Sequence, residues 1–336
     1  MNIVIPMAGR GSRLRPHTLT VPKPLIPIAG KPIVQRLVED IAKIVGDDLN
    51  EIAFVIGDFG AEVEQMLLGV AESLGAKGSI HYQETPLGTA HAVQCAKSAL
   101  DGPCVVAFAD TLFRADFKLD PEADSVIWVN QIDDPSAFGV VQLSEDGRIV
   151  DFVEKPQEFV SDLAIIGIYY FKDGARLRDE IQYLLDNDIK GGGEYQLTHA
   201  LDNMKNAGLR MLPGEVDAWM DCGNKDVTVE TNGRILEFIQ DEEVLVDPSA
   251  SISEDSQIVP PCYIGPGAQI TSSTVGPRVS VGANTSICCS TIEESLIQED
   301  SEIKNVKLRN SMIGNKVYVN GEFTELSLGD YATLGK

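Results

Sequence analysis

The sequence has no run of about 18 apolar residues, so no membrane-spanning helix is expected. Its first residues, MNIVIPMAGRGSRLRP, lack the long apolar stretch and small-residue cleavage site of a secretory leader. Cysteine is scarce: the residues at 95, 104, 222, 262, 288 and 289 show no metal-ligand spacing, and two are adjacent. A disulfide framework is therefore not expected, and a reducing cytoplasm is the predicted compartment. Histidine is scarcer still, with four residues. Basic charge is outweighed: 27 Lys and Arg against 51 Asp and Glu give a net charge of -24. That balance argues against nucleic acid or an anionic membrane as a partner.

What is present is the composition of a soluble globular protein, 43% hydrophobic and 23% charged over 336 residues. This length holds one large domain or two ordinary ones. The acid excess has one gap. Arg10, Arg13, Arg15, Lys23, Lys31 and Arg36 all precede the first acid, Glu39. A cationic segment in so acidic a chain, punctuated by glycine and proline, predicts a local anion site.

Residues 1–240 alternate strand-like and helix-like segments. Ile3-Val4-Ile5, Ile52 to Ile56, Ile80 to Tyr82 and Val105 to Phe108 read as strands. Helices are predicted after Pro32, across Val63 to Leu74 and around Thr89 to Leu100. Such βαβ alternation predicts an α/β fold with a Rossmann-like, mixed and mostly parallel sheet. Val126 to Val129, Val140 to Leu143, Ile149 to Val153 and Ile165 to Phe171 extend it with antiparallel pieces. Over residues 241–336 the pattern changes. Branched apolar residues recur at Ile252, Ile258, Ile264 and Ile270, six apart, and then every five or six residues to Val319. Small residues such as Gly265, Gly267, Gly276 and Gly282 lie between them. This hexapeptide period predicts a parallel β-helix of about four coils.

Three segments carry candidate chemistry. Ala8-Gly9-Arg10-Gly11-Ser12-Arg13-Leu14 follows the first strand and leads to Pro22-Lys23-Pro24. Glycines let backbone N–H groups approach phosphate oxygens, and an arginine fork bridges them. A Walker loop is excluded because no Gly-Lys-Ser/Thr follows, and a dinucleotide fingerprint because position 14 is Leu. Gln83-Glu84-Thr85-Pro86-Leu87-Gly88-Thr89 follows a strand, and a Gln amide offers a donor and an acceptor to a pyrimidine edge. Val105 to Ala109 is an apolar strand ending in Asp110, where α/β sheets gather ligands.

Together these segments resemble the signature of the sugar-1-phosphate nucleotidylyltransferases, the glucose-1-phosphate thymidylyltransferase group in particular. The resemblance covers essentially the whole chain, since many relatives also carry a hexapeptide β-helix, which is left-handed. It implies that a pyrimidine nucleoside triphosphate (dTTP or UTP) and a hexose 1-phosphate yield a nucleotide sugar and pyrophosphate. Ala8, Gly9, Gly11, Ser12 and Arg13 then wrap the triphosphate, Lys23 serves the phosphates, and Gln83, Gly88 and Thr89 hold the base. Asp110 and Asp221 match the family's two Mg²⁺ aspartates. Gly139, Glu154, Lys155 and Glu194 fall in three elements that contact the sugar phosphate. Position 10 is Arg where relatives usually have Gly, and Thr111 replaces the usual Asn. Relatives assemble as dimers or tetramers, so a homo-oligomer is expected. UTP- or GTP-specific relatives and a non-catalytic regulatory homologue are the alternatives. Acyltransferases built on this β-helix usually need a histidine base within it, and His17, His81, His91 and His199 all precede it.

Overall fold

The computed structural model describes residues 1–9, 11–115 and 123–335. Arg10, one of the early cations, lies outside the described residues. Strand β1 (Asn2–Pro6) is followed by short strands β2 (Pro27–Ile28) and β3 (Lys31–Pro32) and by helix α1 (Ile33–Val45). Next come β4 (Glu51–Ile56), α2 (Ala61–Ser73), β5 (Lys77–Tyr82), α3 (Thr89–Cys95), β6 (Cys104–Ala107) and β7 (Thr111–Arg114). Four longer strands follow: β8 (Ser125–Gln131), β9 (Gly139–Leu143), β10 (Ile149–Glu154) and β11 (Leu163–Phe171). Helices α4 (Gly174–Asp186) and α5 (Leu197–Asn206) lead to β12 (Met211–Glu215), β13 (Ala218–Asp221) and α6 (Lys225–Ile239). Fifteen short strands, β14 to β28, run from Ser251 to Leu334.

The chain divides into two compact units. The first comprises Met1–Gly9 and Leu37–Trp219, and the second comprises Arg10–Arg36 and Met220–Lys336.

The first unit is built on a nine-stranded sheet in the order β10-β9-β11-β6-β1-β4-β5, with β8 beside β11 and β12 beside β8. Strands β6, β1, β4 and β5 are parallel, and β11, β9 and β10 add antiparallel neighbours. Ile3, Val4 and Ile5 are fully buried, as expected of a parallel strand covered on both faces. On one face Val93, Leu177 and Leu201 from α3, α4 and α5 join Val4, Val106 and Phe171 in a single apolar cluster. On the other, Ile41 and Ile44 of α1 lie with Val105, Trp128 and Ile168 of the sheet. Each such large side chain contributes roughly 1.5–3 kcal/mol on burial. From β1 the chain moves outward to β4 and β5, then returns to add β6 on the opposite side of β1. The crevice at the carboxyl ends of β1 and β6 is therefore the topological switch point, where open α/β sheets bind ligands.

The second unit contains a left-handed parallel β-helix with sheets of six, four and five strands. Ile270, Ile287, Ile303 and Val319 stack in register along its interior. Fifteen strands on three sides make about five coils, one more than the sequence predicts. The additional strands, β27 (Ser327–Leu328) and β28 (Thr333–Leu334), follow the segment 321–326, whose Gly-Glu-Phe-Thr-Glu run interrupts the hexapeptide pitch. A feature with no hexapeptide signal also supports the coils. Ser273 Oγ accepts from Ser290 N at 3.0 Å, Ser290 Oγ from Val306 N at 3.3 Å, and Ser301 Oγ from Val317 N at 3.0 Å. These hydroxyls satisfy backbone donors where adjacent coils turn inside the stack.

Candidate active site

At the switch point of the first unit, Ala8 and Gly9 follow β1 and Asp110 follows β6. Ala109 N approaches Pro6 O at 3.5 Å, so the two strand ends adjoin. Gly57, at the end of β4, joins them: a side chain there would lie 3.7 Å from Ala8 O. Asp110 is exposed, as a carboxylate must be to meet a hydrated ligand.

Gln83 follows β5, with its N–H bonded to Ile56 O at 2.9 Å. Its side-chain nitrogen donates to Gly88 O at 3.2 Å and faces His91 Nδ1 at 3.1 Å. Burial lowers the His91 pKa below its ordinary value, which favours the neutral ring, and the tautomer with Nδ1 unprotonated accepts from the amide. The reversed amide would set two carbonyl oxygens against each other at Gly88. Both amide protons are thus committed, which leaves Gln83 Oε1 as the atom that takes a hydrogen bond.

Gly88 has φ +120, and a Cβ there would sit 2.5 Å from Tyr195 O. Only glycine lets this loop meet the 194–197 segment. Ala90 N donates to Tyr195 O at 2.9 Å and Tyr195 N to Leu87 O at 2.8 Å. Thr89 Oγ1 accepts from Leu197 N at 2.9 Å, so Thr89 caps the start of α5. Glu194 is exposed at the same junction, its Cβ 3.0 Å from the position a Gly88 side chain would take.

Gly139 and Glu154 are register partners in β9 and β10, and the Glu154 carboxylate would be 3.1 Å from a Cβ at Gly139. Lys155 holds the left-handed φ of +45, uncommon for a side-chain-bearing residue and a conformation that clusters at functional positions. Its Nζ lies 3.8 Å from Glu154 Oε1. Tyr169, which the sequence does not single out, links these parts. Burial raises its pKa most, and the charges of Glu154 and Asp110 raise it further.

Thr111 is buried and accepts from Trp219 Nε1 at 2.5 Å.

In the second unit, Gly11 has φ +64, and a Cβ there would lie 2.6 Å from Lys23 Cβ. The glycine loop and Lys23 are therefore in contact. Thr18 Oγ1 closes the loop by donating to Gly11 O at 2.7 Å. Ser12 and Arg13 are exposed, while Leu14, which breaks the dinucleotide fingerprint, is buried as an anchor. Two of the early cations do not serve the expected anion site. Arg36 donates to Ile28 O and Ala29 O, both at 2.6 Å, and pairs with Glu243 at 3.3 Å. Lys31 pairs with the same carboxylate at 3.3 Å. Burial pushes Glu243 up, but these two cations outweigh it and hold its pKa below the ordinary value. Asp221 ends β13; its carbonyl accepts from Thr231 Oγ1 at 2.7 Å. A Cβ at Gly223 would fall 2.6 Å from its carboxylate.

Among the described residues no group of three or more His, Cys, Asp and Glu side chains is arranged to hold a metal. A hard cation such as Mg²⁺ takes one or two carboxylates and completes its shell with phosphate oxygens and water, a donor set that the exposed Asp110 fits.

The sequence pattern of the family described as nucleotidyl transferase matches residues 3–237. A glucose-1-phosphate thymidylyltransferase from Streptomyces antibioticus is 30% identical, covering 95% of this chain and 93% of the relative. The catalytic subunit beta of a mannose-1-phosphate guanylyltransferase from Drosophila pseudoobscura is 30% identical, covering 76% of this chain and 71% of the relative. A UDP-glucose pyrophosphorylase solved with UDP-glucose shares the fold, with TM-score 0.57 and 23% identity over 70% of this chain and 98% of that one.

Proposed function

Because the chain belongs to the nucleotidyl transferase family, among its sugar-1-phosphate nucleotidylyltransferases, we propose that it joins dTTP or UTP to a hexose 1-phosphate, glucose 1-phosphate first among them. The observation that carries this reading is Asp110 beside the Ala8-Gly9 turn at the switch point of the parallel sheet. In this proposal residues 1–240 form the catalytic domain and 241–336 the β-helix.

A phosphate oxygen of the sugar attacks the α-phosphorus in line, that P–O bond forms, and the bond to the β-phosphate oxygen breaks to release pyrophosphate. The nucleophile is already anionic, so positioning and charge neutralisation suffice without a strong base. Arg13 and Lys23 offset charge on the phosphates, with Gly9, Gly11 and Ser12 lining them. Asp110 and Asp221 would hold Mg²⁺, which would supply further counter-charge when bound. Glu154 and Glu194 accept hydrogen bonds from sugar hydroxyls, Gly139 leaves room for the ring, and Lys155 meets the sugar phosphate.

Gln83 supports the choice of base. Its available Oε1 suits the N3–H of uracil or thymine, whereas cytosine presents an acceptor at N3. Guanine also presents a donor on its pairing edge, and the guanylyltransferase likeness makes GTP the second reading.

The test is a pyrophosphate-release screen of dTTP, UTP, CTP and GTP against several hexose 1-phosphates. The proposal expects turnover with dTTP or UTP and far less with CTP. Turnover led by CTP, or none with any pair, would reject it.

A further inference from the structure

The segment Arg10–Arg36, which carries Arg13 and Lys23, belongs to the same compact unit as the β-helix. Its contacts there fall into two groups. In the first, His17 is buried with Nε2 at 3.1 Å from Ser327 Oγ, and Thr20 Oγ1 donates to Asp330 Oδ2 at 2.7 Å. Pro16 packs on Gly329 so closely that a Cβ at that glycine would lie 2.9 Å from Pro16 Cβ. Asp330 is itself fixed in the coil, because its Oδ1 accepts from Asn315 N at 2.8 Å.

The second group holds the β2–β3 hairpin. Asn232 of α6 is fully buried, and its Oδ1 accepts from Ala29 N at 2.9 Å and from Ser280 Oγ of the β-helix at 2.7 Å. The Tyr263 ring covers Gly30, where a Cβ would lie 2.3 Å from it. Lys23 falls between the two groups, and Arg13 stands just before the first. Hydrogen bonds from His17 N to Leu14 O (3.1 Å) and from Thr18 Oγ1 to Gly11 O (2.7 Å) tie the Arg13 turn to the His17 anchor.

We infer that the last coil of the β-helix is a positioning element for catalysis: Ser327 and Asp330, acting through His17 and Thr20, hold the loop that presents Arg13 and Lys23. The inference rests on the reading that those two cations meet the triphosphate. It gives the β-helix a part in the reaction although the helix contains no histidine. The anchoring residues act through the loop that they hold, so each is a positioning residue rather than a catalytic one.

The experiment compares the full-length chain with Ser327→Ala/Asp330→Ala, with the milder Ser327→Thr, and with Cys289→Ser as a distant β-helix control. Steady-state kinetics are measured separately for nucleotide and sugar phosphate, alongside circular dichroism. A displaced loop weakens phosphate contacts, so kcat/KM for the nucleotide falls about tenfold to a hundredfold. The KM for the sugar phosphate stays near that of the parent, Ser327→Thr recovers most of the loss by keeping a hydroxyl, and Cys289→Ser is unaffected. Parent-like kinetics in a folded double variant would overturn the inference, as would a rise in KM for the sugar phosphate as large as that for the nucleotide. If the double variant fails to fold, Thr20→Val decides by the same criterion. Arg13→Ala separates the two levels: full activity in that variant would defeat the reading of the site itself. A loss in Arg13→Ala without a loss in the double variant would defeat only the role of the β-helix.

Discussion

The side-chain amide of Gln83 faces the ring Nδ1 of His91 at 3.1 Å, with Gly88 O taking the other proton at 3.2 Å. This pair turns an ambiguous amide into one with a defined acceptor. His91→Leu leaves Gly88 O to fix the amide's orientation but releases one amide proton, which can then donate to the N3 acceptor of cytosine. The expected result is a smaller preference for UTP or dTTP over CTP, read as the ratio of kcat/KM values. Gln83→Ala removes the contact itself and should cost about 1 kcal/mol of nucleotide recognition, a several-fold loss in kcat/KM. An unchanged preference in both variants would show that Gln83 does not meet the base.

Gly88→Ala should be harmful for a different reason. Its φ of +120 suits glycine alone, and a methyl group would press on the Tyr195 backbone at 2.5 Å. Strain of this kind costs about 1–3 kcal/mol before the clash is counted. A lowered denaturation midpoint together with reduced turnover is expected, because the same residue joins the 83–89 loop to Glu194.

Acid should weaken the anchorage of the N-terminal segment. Burial holds His17 in its neutral form and lowers its pKa from 6.5 to about 4, with Asp330 raising it and Lys225 lowering it by smaller amounts. A depressed folded-state pKa means that the unfolded chain binds the proton first as pH falls. The stability due to neutral His17 is therefore complete above about pH 6.5 and is lost between there and about pH 4, amounting to roughly 3 kcal/mol. Denaturant unfolding at pH 7.5 and pH 4.5 should show a steeper loss for the parent than for His17→Asn. Equal losses would contradict it.

Much of this was legible in the sequence because it rests on short-range patterns. Continuous apolar runs marked the buried parallel strands, and the six-residue spacing from Ile252 to Ile270 marked the β-helix. The placement of Asp110 at the switch point was legible because it ends such a strand. What was not legible depends on partners distant in the chain. Arg36 looked like part of an anion site, yet Glu243, about 200 residues later, neutralises it. Leu14 read only as a missing glycine until its burial showed an anchor. Asn232 has no local signal, since its importance lies in joining Ala29 to Ser280. His91 carries no local signal, because nothing in its neighbourhood announces that Gln83 needs an acceptor. The coil count fell short because segment 321–326 breaks the spacing although the stacking continues beyond it.

The most direct test is pyrophosphate release by the parent, Asp110→Asn and Arg13→Ala with dTTP or UTP and a hexose 1-phosphate. Each substitution removes a group that offsets charge on the transferring phosphates, worth roughly 3 kcal/mol. The account predicts that both variants stay folded and turn over at least about a hundredfold more slowly. Near-parental pyrophosphate release from either variant would contradict it.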